Sequence, residues 1–188
     1  MMRDLGGTPA RGHLTQSRLR WRSRFLFGEH RLRQITPPMR EIRIDRLTVA
    51  DVELARALFA TMARVFAIDA EVLSDEYLTR LLDRDDFWAL AASVEGQLVG
   101  GLTAHTLPLT RAEVSEVFIY DIAVVPDWQR QGVGRLLMST LRSQAAGAGI
   151  TVVFVPADNE DTHALDFYQA LGGVPASVTI FTFGDSQN

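Results

Sequence analysis

The segment from Gln129 to Arg135, which reads Gln-Arg-Gln-Gly-Val-Gly-Arg, constrains this chain more than any other. An apolar run of β-type residues precedes it, and an amphipathic run with helical spacing follows it. A turn of this kind presents backbone N–H groups at a helix N-terminus, where the helix dipole favours an anion. Gly132 and Gly134 allow the backbone a close approach, and Arg130 adds positive charge. The segment predicts a phosphate-binding loop, with an ordinary strand-to-helix loop as the alternative.

Two other phosphate-binding motifs are excluded. A dinucleotide fingerprint needs Gly-x-Gly-x-x-Gly and an acidic residue at the end of the next strand. A P-loop needs a lysine, and the chain has none. The absence of cysteine excludes disulfides, a thiol nucleophile and a cysteine-based zinc site. The four histidines lack metal-ligand spacing, so no metal is predicted; His105 is expected in a strand and His163 on an exposed helix.

The composition is that of a globular protein with one sizeable domain. The chain has 188 residues, of which 47% are hydrophobic and 22% charged. No apolar run approaches the roughly 18 residues that a membrane span requires, and no secretory signal is recognisable. We therefore expect a cytoplasmic protein with no membrane partner.

Charge is distributed unevenly along the chain. Residues 1–40 carry nine arginines against two acids, a balance of +7, whereas the remainder carries ten arginines against 21 acids, a balance of −11. Residues 1–39 are predicted to be a disordered basic extension, and residues 185–188 a short tail. The alternative for the extension is an amphipathic arm that binds an anionic surface.

Residues 40–184 alternate between strand and helix patterns. Strands are predicted over 41–47, 87–94, 97–107, 114–125, 151–155 and 177–183, with the fifth buried because of its β-branched run. Helices are predicted after Thr48, from Ser74, over 132–148 and over 161–171.

Three stretches together resemble the acetyl-CoA-binding core of the GNAT superfamily of N-acetyltransferases: Val114–Val124, Gln129–Gly134 and Ala164–Gly172. The resemblance implies an α/β (α+β) domain over residues 40–184. Its mixed, mostly antiparallel sheet would have about six or seven strands and about four flanking helices. Strands four and five would be splayed apart, and the acyl chain of the cofactor would insert between them.

The resemblance also implies acetyl-CoA as the cofactor. The residues implied to bind it are Ile122, Ala123, Val124, Gln129, Arg130, Gln131, Gly132, Val133, Gly134, Arg135 and Tyr168. Tyr168 is implied to lie beside the thioester sulfur and to protonate the departing thiolate, a step for which a phenol is a suitable acid. The alternative is that Tyr168 only packs on the core.

An amine acceptor arrives protonated at neutral pH, so a base must remove its proton. Asp121 is the first candidate, because a carboxylate in an otherwise apolar strand is costly unless it has a partner or a role. The alternative is a structural ion pair with an arginine. Glu116 is the second candidate, with an exposed strand position as its alternative. Strict alternation places the two on opposite sides of the strand unless a β-bulge separates them.

The residues expected to bind the acceptor are Glu116, Tyr120, Asp121, Asp158, Glu160 and Asp161. Many GNAT members carry asparagine at the position of Asp161, and this chain departs from that pattern. Capping of the following helix is the alternative role for Asp161.

Within the superfamily, the chain most resembles the aminoglycoside 3-N-acetyltransferases of the GNAT type. The stretches that carry this resemblance are Ser115–Val124, Gln129–Gly134, and Ala157-Asp158 followed by Ala164–Leu171. The similarity implies transfer of acetyl to the 3-amino group of a 2-deoxystreptamine ring, and hence antibiotic resistance. A polycationic small molecule is the expected partner, with a homodimer and no nucleic acid. One alternative is an acetyltransferase for another amine: a polyamine, a metabolite or a protein N-terminus. The other is a non-catalytic acetyl-CoA-binding module.

Overall fold

The computed structural model describes residues 41–183, so the predicted extension (1–39) and tail (185–188) lie outside the described residues. The strands are β1 (Ile42–Arg46), β2 (Phe87–Val94), β3 (Gln97–Pro108), β4 (Ser115–Val124) and β5 (Val152–Phe154). The helices are α1 (Val52–Phe66), α2 (Asp75–Leu82), α3 (Val133–Gly147) and α4 (Thr162–Ala170). Short 3₁₀ turns at Val49–Asp51 and Pro126–Trp128 precede α1 and α3.

The five strands form one mixed sheet in the order β1-β2-β3-β4-β5. The first four are antiparallel neighbours, and β5 is parallel to β4. This arrangement confirms the predicted α+β class and the mixed, mostly antiparallel sheet. It has five strands within residues 41–183 rather than the six or seven expected.

Helices cover both faces of the sheet. On one face, Leu58 of α1 and Leu78 of α2 pack against β2 and β4 residues that include Ala89 and Ala123. On the other face, Leu137 and Leu141 of α3 pack against β-sheet residues, and the aromatic residues of α4 join them. Both faces of β4 are therefore covered at Ile122–Val124, the three buried residues that follow Asp121. Among residues 41–183, no helix is long and apolar enough to cross a membrane.

The predicted splaying of β4 and β5 is present. The ladder between them contains three residue pairs, from Glu116 with Val152 to Phe118 with Phe154. β4 continues to Val124 without a partner strand on that side among residues 41–183. The outer edge of its second half is therefore open to an extended ligand, which could pair there as a strand does.

Two sequence predictions about strands were wrong. Residues 177–183 form no strand, and their large apolar side chains are exposed. β5 is exposed at Val152 and Phe154 rather than buried, because it lies at the edge of the sheet and has a partner on one side only. β-branched composition indicates a preference for a pleated, half-buried surface, but it does not reveal whether a partner strand is present.

The other predicted boundaries agree with the structure to within a few residues. Thr48 forms a capping box with Asp51, and the hydroxyl of Ser74 accepts a hydrogen bond from the Tyr77 amide at the start of α2. The predicted stop of α4 at the two glycines is present, with Gly172 at φ 84°.

Candidate active site

A β-bulge lies in the middle of β4. Thr103 pairs with Asp121 and Ala104 pairs with Ile119, so Tyr120 is an extra residue with no opposite partner on β3. The bulge changes the alternation of side chains along the strand. Strict alternation along β4 would place Glu116 and Asp121 on opposite faces, so the two could act together only with a bulge between them.

The bulge places Glu116 and Asp121 on the same face of the sheet. Glu116 pairs with Leu107 of β3 and Asp121 pairs with Thr103, four residues away on that strand and therefore on the same side. Ala123, two residues beyond Asp121, packs under α1 on this face. Both acidic candidates thus face the side covered by α1 and α2. Their catalytic roles remain predictions.

Among the acidic residues of the described structure, Asp121 has the most strongly shifted pKa. The side chain is half-buried, and removal from water raises the pKa of its carboxyl to about 6. A hydrogen bond from the buried Thr103 side chain opposes this shift by stabilising the charged form. None of the salt bridges among residues 41–183 includes Asp121, so the alternative of an ion pair with an arginine is not what the structure shows. A carboxylate with this pKa suits a base that works near neutral pH.

Thr103→Val tests this arrangement. Valine keeps the shape of the side chain but removes the hydroxyl that lowers the pKa of Asp121. We expect the acid limb of the kcat/KM pH profile, near pH 6 in the wild type, to move to higher pH by up to about one unit, since a hydrogen bond to a charged group contributes about 1.5 kcal/mol. Thr103→Ser keeps the hydroxyl and should keep the limb in place. An unchanged or lower limb in Thr103→Val would contradict the role of Thr103.

The loop after β4 has the predicted form of a helix N-terminus. Gly132 is the residue before α3 and has φ 90°, a conformation that a side chain disfavours. The backbone N–H groups of the first turn of α3 have no acceptor within the helix and are available to an anion. Arg130 and Arg135 are exposed beside it. The geometry fits the phosphates of a nucleotide cofactor.

Two side chains that were predicted to bind the cofactor instead donate hydrogen bonds to backbone carbonyls near the loop. The amide nitrogen of Gln129 donates to the carbonyl of Val124 at 3.0 Å, and that of Gln131 donates to the carbonyl of Asp127 at 2.7 Å. These bonds tie the loop to the end of β4 and hold α3 in register with it. The backbone of the loop is therefore a better candidate for the phosphate contact than these two side chains.

Gly134 serves to bring α3 and α4 together. A Cβ atom at this position would lie 3.2 Å from the ring of Phe167. The neighbouring Tyr168 is half-buried, packs on the core beneath α3, and has its ring centroid 5.2 Å from that of Phe167. The close contact places the Tyr168 helix beside the loop, as the acid role requires. That role remains a prediction.

Some of the acidic residues after β5 make local hydrogen bonds that stabilise the fold, and others remain candidates for binding the acceptor. Asp161 accepts a hydrogen bond from the Ala164 amide at 3.0 Å and caps α4, which confirms the capping alternative. Its other carboxylate oxygen is buried without a hydrogen-bond partner among the described residues. Asp158 accepts from the amide of Glu160 at 3.0 Å, and the Glu160 side chain is exposed. The unused oxygen of Asp161 leaves a second role open to that residue.

Sequence reasoning missed two residues on the Asp121 face. Thr103 supplies the hydrogen bond to Asp121, and His105, expected only as a strand residue, lies two positions along β3 on the same face. Neither has a motif that would reveal it. The pairing of β3 with the bulged β4 is the signal that identifies both. His163 lies exposed on α4 as predicted, and residues 41–183 contain no group of three or more side chains suited to hold a metal ion.

Residues 53–173 match the acetyltransferase (GNAT) family, and this range includes α1 from its second residue, the bulged strand, the loop and α4. The chain belongs to the GNAT family. Its open β4 edge and the helix N-terminus beside it are the features that suit acetyl-CoA, the cofactor of GNAT acetyltransferases, so the predicted cofactor and enzyme class are confirmed at the level of the family.

Solved GNAT structures resemble the chain over most of its length. An aminoglycoside acetyltransferase from an uncultured soil metagenomic sample, solved in complex with sisomicin, has a TM-score of 0.73 and 32% sequence identity, covering 76% of this chain and 95% of the other. A second aminoglycoside acetyltransferase, HMB0005, also from a soil metagenomic sample, has a TM-score of 0.73 and 34% identity, covering 78% and 99%.

A different GNAT member matches over a shorter stretch. The [ribosomal protein bS18]-alanine N-acetyltransferase of Escherichia coli (strain K12) is 30% identical over 70 residues, which is 37% of this chain and 47% of the relative. The chain thus spans about half the length of the curated relatives it matches. Two of these similar proteins are named as aminoglycoside acetyltransferases and the third as a protein-alanine acetyltransferase, and none of the three matches distinguishes the nitrogen that is acetylated.

Proposed function

We propose that this chain is an acetyl-CoA-dependent aminoglycoside N-acetyltransferase that transfers acetyl to the 3-amino group of the 2-deoxystreptamine ring. The half-buried carboxylate of Asp121, raised in pKa and unpaired with any arginine among the described residues, is the observation that carries the proposal. It lies where β4 separates from β5. Similarity to two aminoglycoside acetyltransferases at 32% and 34% identity supports the substrate class.

The proposed reaction is a direct transfer. Acetyl-CoA supplies an acyl group on a good leaving group. Asp121 accepts a proton from the ammonium of the acceptor, and the resulting amine forms a bond to the thioester carbon. A backbone N–H on the open edge of β4 stabilises the oxygen of that carbon as charge develops. The carbon–sulfur bond then breaks, and Tyr168 gives its proton to the departing thiolate. The acylated nitrogen loses its remaining extra proton, which returns to the Tyr168 phenolate through solvent and leaves a neutral amide.

The charge of the domain suits a polycationic acceptor. The balance of −11 beyond residue 40 concentrates cations near the protein and speeds their encounter with it. Glu116 lies on the face of Asp121 and is available to hold a second ammonium group of the same molecule.

Expression of the full chain in a susceptible bacterium tests the proposal. We expect raised resistance to gentamicin and sisomicin, and we expect Asp121→Asn, produced at the same level, to abolish it. NMR of the purified product assigns the acetylated nitrogen. Acetylation at another amino group would contradict the 3-N assignment alone, whereas no acetylated drug with active acetyl-CoA binding would contradict the aminoglycoside proposal.

A protein N-terminus is the second candidate acceptor. The observation that favours it is the 70-residue match to the [ribosomal protein bS18]-alanine N-acetyltransferase. A peptide beginning with alanine, assayed beside an aminoglycoside, distinguishes the two.

We propose further that the protein is a homodimer. The apolar side chains of Val178, Ile180 and Phe181 are exposed in a segment with β-type residues, with Phe181 76% exposed. The outer edge of β5 lacks a partner within the described residues. A second copy would bury both. Light scattering on the full chain should give the dimer mass, and Phe181→Glu should give the monomer; a wild-type monomer would contradict this.

A further inference from the structure

A row of ring side chains crosses the face of the sheet that carries Asp121. Consecutive ring centroids lie 6.4, 5.2, 6.2, 6.0 and 5.3 Å apart. The rings come from α1, β2, β3, β4 and β5 in turn. They are Phe59, Phe87, His105, Tyr120, Phe118 and Phe154. Ring pairs at these distances with tilted or edge-to-face geometry stabilise one another and hold their neighbours in place.

The row has a more buried end, at Phe59 and Phe87, and a more exposed end, toward β5. Phe87, which contacts α1, is 7% exposed, whereas Tyr120 is 41% exposed. His105 lies between them and is half-buried, with its ring 5.2 Å from Phe87 and 6.2 Å from Tyr120. The buried end fixes the position of the His105 ring. The open end, toward β5, leaves ring surface accessible to a ligand.

Asp121 lies directly beside this exposed end. Tyr120 is the bulge residue that precedes Asp121 in β4, and His105 is two positions from Thr103, which hydrogen-bonds the Asp121 carboxylate. The side chains of His105 and Thr103 share a face because successive side chains of a strand point to opposite faces and these two residues are two positions apart. Tyr120 is therefore adjacent to Asp121 along β4, and His105 is the next residue on the same face of β3 after the pairing partner of Asp121.

The environment of His105 disfavours a positive charge on the imidazole. Burial lowers the pKa of His105, and the two nearby charges act in opposite directions, with Asp86 raising it and Arg84 lowering it. These two residues are themselves paired at 2.7 Å, which limits their net influence. A neutral ring beside Asp121 does not repel a cationic acceptor. The face of the Tyr120 ring can attract an ammonium group, and the flat imidazole of His105 next to it limits the space for the acceptor.

We propose that His105 is a specificity-determining residue of the acceptor site, where its ring and that of Tyr120 form a wall that directs one amine of a polycationic ring compound to Asp121. This inference rests on the proposed function. The wall limits the orientations in which the acceptor ring can lie. A single amine then reaches the carboxylate, and the others remain outside its range.

Steady-state kinetics of His105 variants test the wall. We expect His105→Ala to raise the KM for the aminoglycoside about tenfold, with the KM for acetyl-CoA unchanged, and to yield a second positional isomer of the acetylated product. His105→Phe keeps a ring of similar size and should keep the KM within about threefold of the wild type. His163→Ala, a histidine exposed on α4, should change neither constant.

The outcomes separate this inference from the proposed function. Wild-type protein that acetylates no aminoglycoside would overturn the proposed function. Wild-type turnover with an unchanged aminoglycoside KM and a single product in His105→Ala would overturn the wall and leave the function standing. A loss in His105→Ala that also raises the KM for acetyl-CoA, or that His105→Phe shares in full, would mark His105 as a structural residue and overturn the inference too.

Discussion

Asp121→Asn is expected to lower kcat/KM for the acceptor about a thousandfold. Asparagine fills the same space and can still accept a hydrogen bond from Thr103, but it cannot take a proton from the ammonium. General base catalysis contributes about 10²- to 10⁴-fold to enzymatic rates, so the loss falls within that range. The measurement is steady-state acetylation at pH 7.5 with saturating acetyl-CoA. Glu116→Gln, on the same face, should lose far less if Asp121 is the base.

Asp121→Asn is also expected to change the stability of the protein, and here the expected effect is a gain, whereas the effect on activity is a loss. The folded pKa of Asp121, about 6, lies above the ordinary value of 3.8, so folding disfavours its charged form. The resulting penalty is absent below pH 3.8, grows as the pH rises to about 6, and is full above that. Asp121→Asn should therefore raise the free energy of unfolding at pH 8, by at most about 3 kcal/mol, and leave it nearly unchanged at pH 4. A variant that is inactive and less stable at pH 8 would show that the carboxylate is structural.

Tyr168→Phe is expected to lower kcat about a hundredfold while the KM for acetyl-CoA stays within about threefold. Phenylalanine keeps the packing of the ring against Phe167 and the core, and it removes only the hydroxyl. Loss of a general acid contributes at least about 10²-fold when the leaving group needs its proton. The measurement is release of free CoA thiol over time.

A matched variant controls for the loss of any tyrosine hydroxyl. Tyr77 is exposed on α2, and Tyr77→Phe should keep full activity. Equal activity of Tyr168→Phe and wild type would contradict the acid role and leave Tyr168 as a core residue. Loss in both Tyr168→Phe and Asp121→Asn would exclude the non-catalytic module.

Much of the fold could be predicted because each element carries its own local signal. Thr48 and Ser74 mark helix starts through their capping hydroxyls, and Gly172 marks a helix end through its positive φ. The loop around Gly132 was recognisable for the same reason, since only glycine readily adopts the conformation required before α3. These signals act over a few residues and do not depend on distant contacts.

The site was less predictable because it depends on contacts between strands. The bulge at Tyr120 is defined by the register between β3 and β4, and no residue type in the sequence identifies its position. The same pairing brings Thr103 and His105 to Asp121, so neither residue was identifiable before the register was known. The strand predicted over residues 177–183 was wrong for a related reason. The alternating pattern of this segment suits a sheet, but no strand among the described residues pairs with it.

Purified full-length protein, assayed with acetyl-CoA and with sisomicin or an alanine-terminated peptide as the acceptor, tests the central claim most directly. The measured quantity is kcat/KM for each acceptor under identical conditions, with Asp121→Asn as the matched inactive variant. We expect a value for sisomicin at least a hundredfold above that for the peptide, and its loss in Asp121→Asn. Turnover of the peptide alone, or sisomicin turnover that Asp121→Asn retains, would contradict the account.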